Sequence, residues 1–241
     1  MHPVTAARDR SAVSYALAAP HMTATAPTIP HETLTSRLLE TAARMGIVGF
    51  ARFISGAGAR WINCQPDVNQ RIYFANHTSH LDALVIWSLL PPQCRALTRP
   101  VAARDYWEKG RVRPYLAKHV FGALLIDRQN IKVHQSPVDL MLREMGDRYS
   151  LIVFPEGGRS TDGELQEFKS GLYYCAKKRP DLELVPVHID NLNRVLPRGE
   201  FLPVPLLSCI TFGPPIWLEA GEPKTAFLNR ARESVRRLRD L

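Results

Sequence analysis

The stretch Arg-Ile-Tyr-Phe-Ala-Asn-His-Thr-Ser-His-Leu-Asp, residues 71–82, decides the predicted fold because it changes abruptly from apolar to polar. Residues 72–75 are apolar and predict a short strand that enters the core. Polar side chains then crowd residues 76–82, which we call the elbow. Apolar residues resume at Leu81 and stop at Pro91, which predicts a helix between them. The predicted order is therefore strand, polar elbow and helix.

The elbow contains an imidazole, His77, and a carboxylate, Asp82, five residues further along the chain. An imidazole can accept a proton near neutral pH. A carboxylate at its other ring nitrogen fixes the tautomer and stabilises the imidazolium, as in a Ser-His-Asp triad without the serine. Spacing alone does not establish this contact, although a turn between the two residues would bring them together. The elbow thus suggests a general base.

Other interpretations of the elbow stay open at this point. Ser79 or Asp82 is a suitable cap for the following helix, and capping does not exclude catalysis. A metal site formed by His77, His80 and Asp82 would indicate a metal-dependent hydrolase. However, the pattern lacks the His-x-His pairing of binuclear hydrolases, and no second ligand cluster follows in the sequence. A polar loop without chemistry is the third alternative.

The length and charge of the chain limit the classes of protein that it can represent. Its 241 residues suit one α/β domain with a full core and an additional segment. The net charge of +8 favours anionic partners, namely phosphates, acidic lipid surfaces or nucleic acid. The four cysteines are far apart and form no Cys-x-x-Cys pair. This argues against a zinc site or a secreted disulfide framework and predicts a reducing compartment.

The N-terminal part of the chain is predicted to contain a mobile tail, residues 1–31, and a pair of amphipathic helices, residues 32–64. A break near Gly46–Gly49 or Gly56–Gly58 would separate the helices. They are too charged to span a bilayer and suit attachment to an acidic membrane surface. Packing on the domain core is the open alternative. The residues expected at the membrane are Phe50, Phe53, Ile54 and Trp61, together with Arg37, Arg44, Arg52 and Arg60.

Residues 65–241 alternate predicted strands with predicted helices, which indicates an α/β domain. Pro186 lies inside one predicted strand and suggests an irregular or edge strand. The basic and aromatic stretch 104–121 suits a nucleic-acid surface, a lipid surface or a solvated surface. Further strands are predicted at 94–101, 123–126, 151–154, 182–189 and 206–212, and further helices at 137–145, 169–178 and 223–241.

Two more polar loops follow predicted strands, and both offer groups that bind anions. Arg128 lies just after the strand 123–126, and an arginine at a strand end can hold a phosphate bidentately. A structural ion pair with Asp127 is the alternative. In the second loop, a glycine pair lets a ligand approach the backbone closely, an arginine adds positive charge, and a serine can donate. This loop consists of Pro155, Glu156, Gly157, Gly158, Arg159 and Ser160.

Together the loops resemble the sequence blocks of the glycerolipid acyltransferases, the lysophosphatidic acid acyltransferase family. The elbow, 76–82, resembles the block NHxxxxD, and residues 122–128 resemble Gly-x-x-x-Ile-Asp-Arg. Residues 154–160 resemble Phe-Pro-Glu-Gly-Thr-Arg-Ser, and 185–187 resemble the fourth block. All four occur in the family's order, and the resemblance covers about residues 34–220. It implies an α/β fold with a single mixed β-sheet flanked by helices and an N-terminal amphipathic helix pair.

The resemblance implies transfer of an acyl group from acyl-CoA or acyl-carrier protein to the free hydroxyl of a lysophospholipid. The expected acceptor is 1-acyl-sn-glycerol-3-phosphate and the expected product phosphatidic acid. Another lysolipid or hydroxy-lipid is the alternative acceptor. His77 would be the general base and Asp82 its orienting group. The substrate-binding residues that the resemblance implies are Arg128, Glu156, Gly157, Gly158, Arg159, Ser160 and Pro186.

The resemblance also implies that no metal, bound organic cofactor or nucleic acid takes part. The partners would be the lysophospholipid, the acyl donor and an acidic membrane surface, with peripheral attachment to the cytoplasmic face of the cell membrane. One departure from the family stands out. The usual threonine of the third block is Gly158 here, which removes a hydroxyl from the loop and leaves the acceptor's head group open.

Overall fold

A computed structural model describes residues 34–127, 136–160, 163–190 and 208–241. The predicted tail lies outside these residues. The strands are β1 (Gly58–Trp61), β2 (Arg71–Ala75), β3 (Thr98–Ala103), β4 (Leu124–Ile126), β5 (Ser150–Val153), β6 (Glu183–Asp190) and β7 (Cys209–Phe212). The helices are α1 (Leu34–Ser55), α2 (Asp82–Leu89), α3 (Pro92–Ala96), α4 (Arg104–Trp107), α5 (Val112–Tyr115), α6 (Pro137–Met145), α7 (Gly171–Lys178) and α8 (Lys224–Arg237). A π-helical turn, Leu116–Val120, follows α5, and a 3-10 turn, Leu238–Asp240, follows α8.

The strands form one sheet in the order β1-β7-β6-β2-β5-β3-β4. All neighbouring pairs are parallel except β6 and β7, which are antiparallel, so the predicted single mixed sheet is confirmed. Every residue of β2 is buried, because helices cover both faces of the sheet. Tyr73 and Ala75 pack in the cluster that includes α2, while Ile72 and Phe74 pack in the cluster that includes α7 and α8.

Parallel pairing brings the three polar loops to one edge of the sheet. Strands β6, β2, β5, β3 and β4 run in the same direction, so their carboxyl ends meet there. The elbow follows β2, Asp127 follows β4, and residues 154–160 follow β5. Ligands of α/β sheets bind at this edge, which makes it the place to look for a site.

One long helix, α1, stands where a pair of helices was expected, and strand β1 follows it. The helix continues through the exposed residues Gly46 and Gly49, although each glycine costs about 1 kcal/mol relative to alanine. Val48 and Ala51 are buried on the domain, and tertiary packing of this kind supplies most of a helix's stability. The helix ends just before Gly56, whose φ of 52° is left-handed.

The outer face of α1 is apolar. Met45, Phe50 and Phe53 are 69%, 62% and 81% exposed, whereas Val48 and Ala51 on the inner face are buried. No helix among the described residues is long and apolar enough to cross a membrane. The exposed apolar side chains of α1, which we call the α1 patch, therefore lie on a helix that rests against the domain.

Three residues that were expected to face lipid contact the protein instead. The ring of Trp61 stacks on Phe212 with centroids 3.9 Å apart, because Trp61 belongs to β1, which pairs with β7. Arg52 donates two hydrogen bonds to a main-chain carbonyl of α2. Arg60 donates to the carbonyl of the C-terminal residue. The side chains of Arg37, Arg44 and Ile54 lie outside those that the structure describes.

Strand β6 lies inside the sheet, between β7 and β2, so Pro186 does not mark an edge strand. The other expectation, an irregularity, is confirmed, because the pairing on the side of β7 is interrupted at Pro186. A proline in a ladder normally removes a hydrogen bond. Here the carbonyl of Pro186 accepts from Gly213 N at 2.9 Å, on the side of β7. The ladder with β7 ends at the pair Val187–Phe212, and pairing resumes at the bridge between Leu184 and Ile216, so the missing N–H of Pro186 falls in the gap between the two.

Candidate active site

The elbow brings His77 and Asp82 into contact. Nδ1 of His77 lies 2.8 Å from Oδ2 of Asp82. The same oxygen accepts the backbone N–H of Thr78 at 2.7 Å and of Ser79 at 2.9 Å. Asp82 is completely buried, and the side chain of His77 is 22% exposed. The chain thus wraps around one carboxylate oxygen, and the predicted His–Asp contact is confirmed.

This geometry determines which nitrogen of His77 can accept a proton. An ionised carboxylate only accepts hydrogen bonds, so Nδ1 donates to Asp82 and carries the proton. The lone pair is then on Nε2, and the carboxylate stabilises the imidazolium that forms when Nε2 is protonated. Helix α2 has no side-chain cap, because its cap position is Leu81, whose side chain cannot accept a hydrogen bond. The carboxylate of Asp82 bonds to backbone N–H groups that precede the helix.

Asn76 anchors the elbow to the neighbouring strand β6. Its amide nitrogen donates to the carbonyl of Ile189 at 3.0 Å, and its amide oxygen accepts the N–H of Ile189 at 2.8 Å. The side chain is buried and continues the strand pairing beyond the end of β2. Sequence reasoning assigned no role to Asn76, although an amide at the start of a polar turn is a signal for such a bond.

The loop after β5 is tied directly to the elbow. Oε1 of Glu156 accepts the backbone N–H of His77 at 2.8 Å, and Oε2 accepts the N–H of Gln166 at 3.1 Å. Ser160 N donates to the carbonyl of His77 at 2.8 Å. The ring of Phe154 stacks on the imidazole of His77, with centroids 4.1 Å apart. Both backbone groups of His77 and one face of its ring are thus held by the loop after β5.

Glu156 holds backbone in this structure and does not turn toward a substrate as the sequence suggested. The residue is buried, and burial raises the pKa of its carboxyl, while the N–H groups of His77 and Gln166 oppose that rise. A buried carboxylate is retained when such bonds compensate its desolvation. We therefore assign Glu156 to positioning His77 rather than to contact with a ligand.

Replacing Glu156 by glutamine is expected to lower kcat by about 10-fold or more with a smaller effect on KM, because a 1 Å displacement of a catalytic group can cost 10²-fold. The amide nitrogen of glutamine cannot accept, so the N–H of His77 or Gln166 would lose its partner, at a cost of about 1–3 kcal/mol. Steady-state kinetics and denaturant unfolding measure both effects. Glu167→Gln, an exposed change nearby, is the control. A variant with normal kcat would contradict the assignment.

Gly157 and Gly158 play different parts in the loop. Gly157 has a φ of 73°, in the left-handed region that favours glycine, and a Cβ there would displace the flexible end of the Lys169 side chain. At Gly158 a Cβ would meet no heavy atom within 4 Å. A threonine would therefore fit at Gly158, and its absence leaves space beside Arg159, which is half-buried.

The three residues of the metal alternative do not converge on one point. His77 directs Nδ1 to Asp82, whereas the ring of His80 stacks on Tyr106 with centroids 4.7 Å apart. Among the described residues, no group of three His, Cys, Asp or Glu side chains is arranged to hold a metal ion. The geometry thus favours proton transfer by the His–Asp pair over metal ligation.

Three predicted substrate-binding residues remain, namely Arg128, Ser160 and Pro186. Arg128 lies outside the described residues. Ser160 contributes its backbone N–H to His77, as described above. Pro186 is buried in β6 opposite Phe74 of β2, so the structure does not bring it to the polar edge. An apolar pocket of about 150 Å³ lies on the other side of the loop and shares Phe154, Pro155 and Gly157 with it.

These elements define an α/β protein whose strand-end site is built on a buried His–Asp pair and a loop that binds the backbone of the histidine. The chain belongs to the acyltransferase family: the model of the family described as Acyltransferase matches residues 64–190, a little more than half of the chain. The matched region includes the elbow, the loop after β5 and strand β6.

Individual relatives agree with the family. A 1-acyl-sn-glycerol-3-phosphate acyltransferase from Limnanthes douglasii is 30% identical over 173 residues, which cover 70% of this chain and 58% of that protein. The enzyme of the same name from Escherichia coli K12 is 28% identical, and the match covers 52% of this chain and 51% of that protein. The chain thus spans between half and three fifths of these relatives.

The fold also agrees with a solved structure. The crystal structure of the 1-acyl-sn-glycerophosphate (LPA) acyltransferase PlsC from Thermotoga maritima matches with a TM-score of 0.65. The match covers 85% of this chain and 81% of that one, at 18% sequence identity. At 18% identity this match shows that the two proteins share a fold.

Proposed function

We propose that the protein transfers a fatty acyl group from a thioester donor to the free hydroxyl of 1-acyl-sn-glycerol-3-phosphate, which yields phosphatidic acid. The observation that carries the proposal is the 2.8 Å contact between His77 Nδ1 and Asp82 Oδ2, which leaves Nε2 to accept a proton. Membership of the acyltransferase family and the names of the relatives support this reaction and acceptor.

The His–Asp pair supplies what the reaction needs. A hydroxyl is a poor nucleophile, so Nε2 of His77 removes its proton as the oxygen attacks the thioester carbonyl. The C–S bond of the tetrahedral intermediate then breaks, and the departing sulfur takes the proton from the imidazolium. Asp82 stabilises the positive ring throughout. The acyl group passes directly to the acceptor, and no metal or organic cofactor takes part in the proposal.

The acceptor's phosphate is proposed to bind at Arg159 and Arg128, with Gly157 and Gly158 giving it room. Arg159 directly precedes Ser160, whose N–H bonds to the carbonyl of His77, so this arginine is anchored beside the base. An arginine fork binds phosphate oxygens through charge-assisted hydrogen bonds. The acyl donor is proposed to be acyl-CoA or acyl-carrier protein.

Product analysis tests the proposal directly. The full chain is incubated with a mixed panel of lysolipids and hydroxy-lipids, with either acyl-CoA or acyl-carrier protein as donor, and the products are identified by mass spectrometry. Phosphatidic acid is the expected product. Acylation of another lysolipid would move the acceptor assignment to that lipid. Release of free fatty acid without any acylated lipid would contradict the transferase proposal.

We further propose that the protein attaches peripherally to the cytoplasmic face of the membrane, where its acceptor lies. The α1 patch supports this proposal, because three large apolar side chains on one helix face are more than 60% exposed. Amphipathic helices bind membranes by burying such a face in the lipid interface. The positive net charge of +8 adds attraction to acidic lipid.

Replacing Phe50 and Phe53 together by serine is expected to weaken binding to acidic vesicles by roughly 10²-fold or more, since burying each phenylalanine contributes about 1.5–3 kcal/mol. Vesicle flotation measures the bound fraction, and high salt should release the parent protein only partly because apolar burial is not screened. Val68→Ser, at another exposed apolar residue, is the control. A folded double variant that floats like the parent would place the membrane contact elsewhere.

A further inference from the structure

A layered contact joins helices α4 and α5 to the elbow. The imidazole of His80 and the ring of Tyr106 are nearly parallel, at 13°, with centroids 4.7 Å apart. The guanidinium carbon of Arg113 lies 4.5 Å from the centroid of the same Tyr106 ring. Tyr106 therefore connects Arg113, on α5, to a residue only three positions after His77.

This contact places Arg113 in a positively charged environment. Burial lowers the pKa of His80, and the charges of Arg159, His77 and Arg113 lower it further. The charge of Asp82 raises this pKa, but its effect is the smallest of these. Within the part of the chain that the structure describes, no ion pair involves Arg113 or Arg159, whereas Arg104 on the neighbouring helix pairs with Glu108. Two guanidinium groups thus share the neighbourhood of His80 without a described carboxylate partner.

Resting on the function proposed above, we infer that Arg113 is a further substrate-binding residue and that it holds a phosphate group of one of the two substrates. A guanidinium whose face lies on an aromatic ring keeps its in-plane N–H donors available for phosphate oxygens. The ring also restricts the side chain before binding, which lowers the entropy cost of a bidentate contact.

Two substrates could supply this phosphate. The acceptor carries a phosphomonoester, and a CoA donor carries a diphosphate and a further phosphate. Both present the same chemistry to Arg113. Arg159, in the third sequence block, also acts on His80, so the two arginines would bind one phosphate jointly or two phosphates separately. Arg113 belongs to none of the four sequence blocks, and only the fold brings it to the elbow.

Calorimetric titration of the full-length protein with two soluble probes separates these sources. One probe is sn-glycerol 3-phosphate, which represents the acceptor's head group, and the other is coenzyme A. Arg113→Gln is expected to weaken binding of at least one probe by about 10–100-fold, the value of one or more charge-assisted bonds. Tyr106→Leu should weaken the same probe less, because the charge remains but its orientation is lost.

Arg111→Gln is the matched control, because Arg111 is exposed, lies two residues before Arg113 and carries the same charge. Weaker binding of glycerol phosphate in Arg113→Gln alone assigns the acceptor, and weaker binding of coenzyme A assigns the donor. Four results would each overturn the inference. They are unchanged binding of both probes, equal losses in the control, failure of the parent to bind either probe, and a loss confined to vesicle flotation. A parent that binds a probe through Arg113 but forms no acylated lipid would instead refute the proposed function.

Discussion

Replacing His77 by alanine is expected to lower the rate of acyl transfer by about 10²–10⁴-fold, the usual contribution of a general base. Alanine leaves nothing at this position to accept the hydroxyl proton. The fold should survive, because Glu156 and Ser160 bond to the backbone of residue 77 and not to its imidazole. Initial rates with 1-acyl-sn-glycerol-3-phosphate and acyl-CoA, together with thermal unfolding, measure the two effects.

The neighbouring histidine provides the control for this prediction. His80→Ala should reduce the rate far less, because the ring of His80 stacks on Tyr106 and not on the His–Asp pair. A folded His77→Ala protein with nearly normal turnover would refute the mechanism. Equal losses in the two variants would show that the elbow responds to any change and that His77 has no special role.

Replacing Asp82 by asparagine is expected to lower kcat by roughly 10²–10⁴-fold, because the general-base contribution of His77 depends on the negative charge that stabilises its imidazolium. The amide oxygen of asparagine would accept from the N–H groups of Thr78 and Ser79, as the carboxylate does now. These bonds and the contact with Nδ1 share one oxygen, Oδ2, so the amide oxygen also keeps the ring proton on Nδ1. The neutral amide, however, no longer stabilises the imidazolium that forms when Nε2 takes the substrate's proton.

The tautomer can be observed directly. Nitrogen chemical shifts of the His77 ring should show a proton on Nδ1 in the parent and in Asp82→Asn, so that a lower kcat is traced to the lost charge. Asp147→Asn, at an exposed position, is the matched control for loss of one carboxylate charge. An Asp82→Asn protein with the parent's kcat would show that the negative charge of the carboxylate does not support the base.

Local sequence determined the central part of this fold and the core of its site. Strand β2 and helix α2 follow from apolar runs on either side of the elbow, and their predicted positions agree with the structure to within a few residues. The contact of His77 with Asp82 was within reach of sequence reasoning because five residues separate them and one turn closes the distance. The alternation of strands and helices likewise predicted the α/β fold, whereas the mixed sheet was implied by the family resemblance and depends on the antiparallel pairing of β6 with β7.

Contacts between distant segments were decided by the tertiary structure. Glu156 binds the backbone of His77 across 79 positions of the chain, so its role as a brace was not visible in either segment alone. Packing of Val48 and Ala51 keeps α1 continuous through two glycines, and pairing of β1 with β7 takes Trp61 from the expected membrane face to Phe212. Pairing and packing energies depend on neighbours that local periodicity does not encode.

The same reason explains Pro186 and Arg113. A proline is tolerated inside a sheet when the adjoining strand has already ended, and the end of β7 becomes known only when its register is known. Arg113 appeared in the sequence as one charge in a basic, aromatic stretch. Its position near the base depends on Tyr106 stacking on His80, a contact between two segments 26 residues apart that only the folded chain brings together.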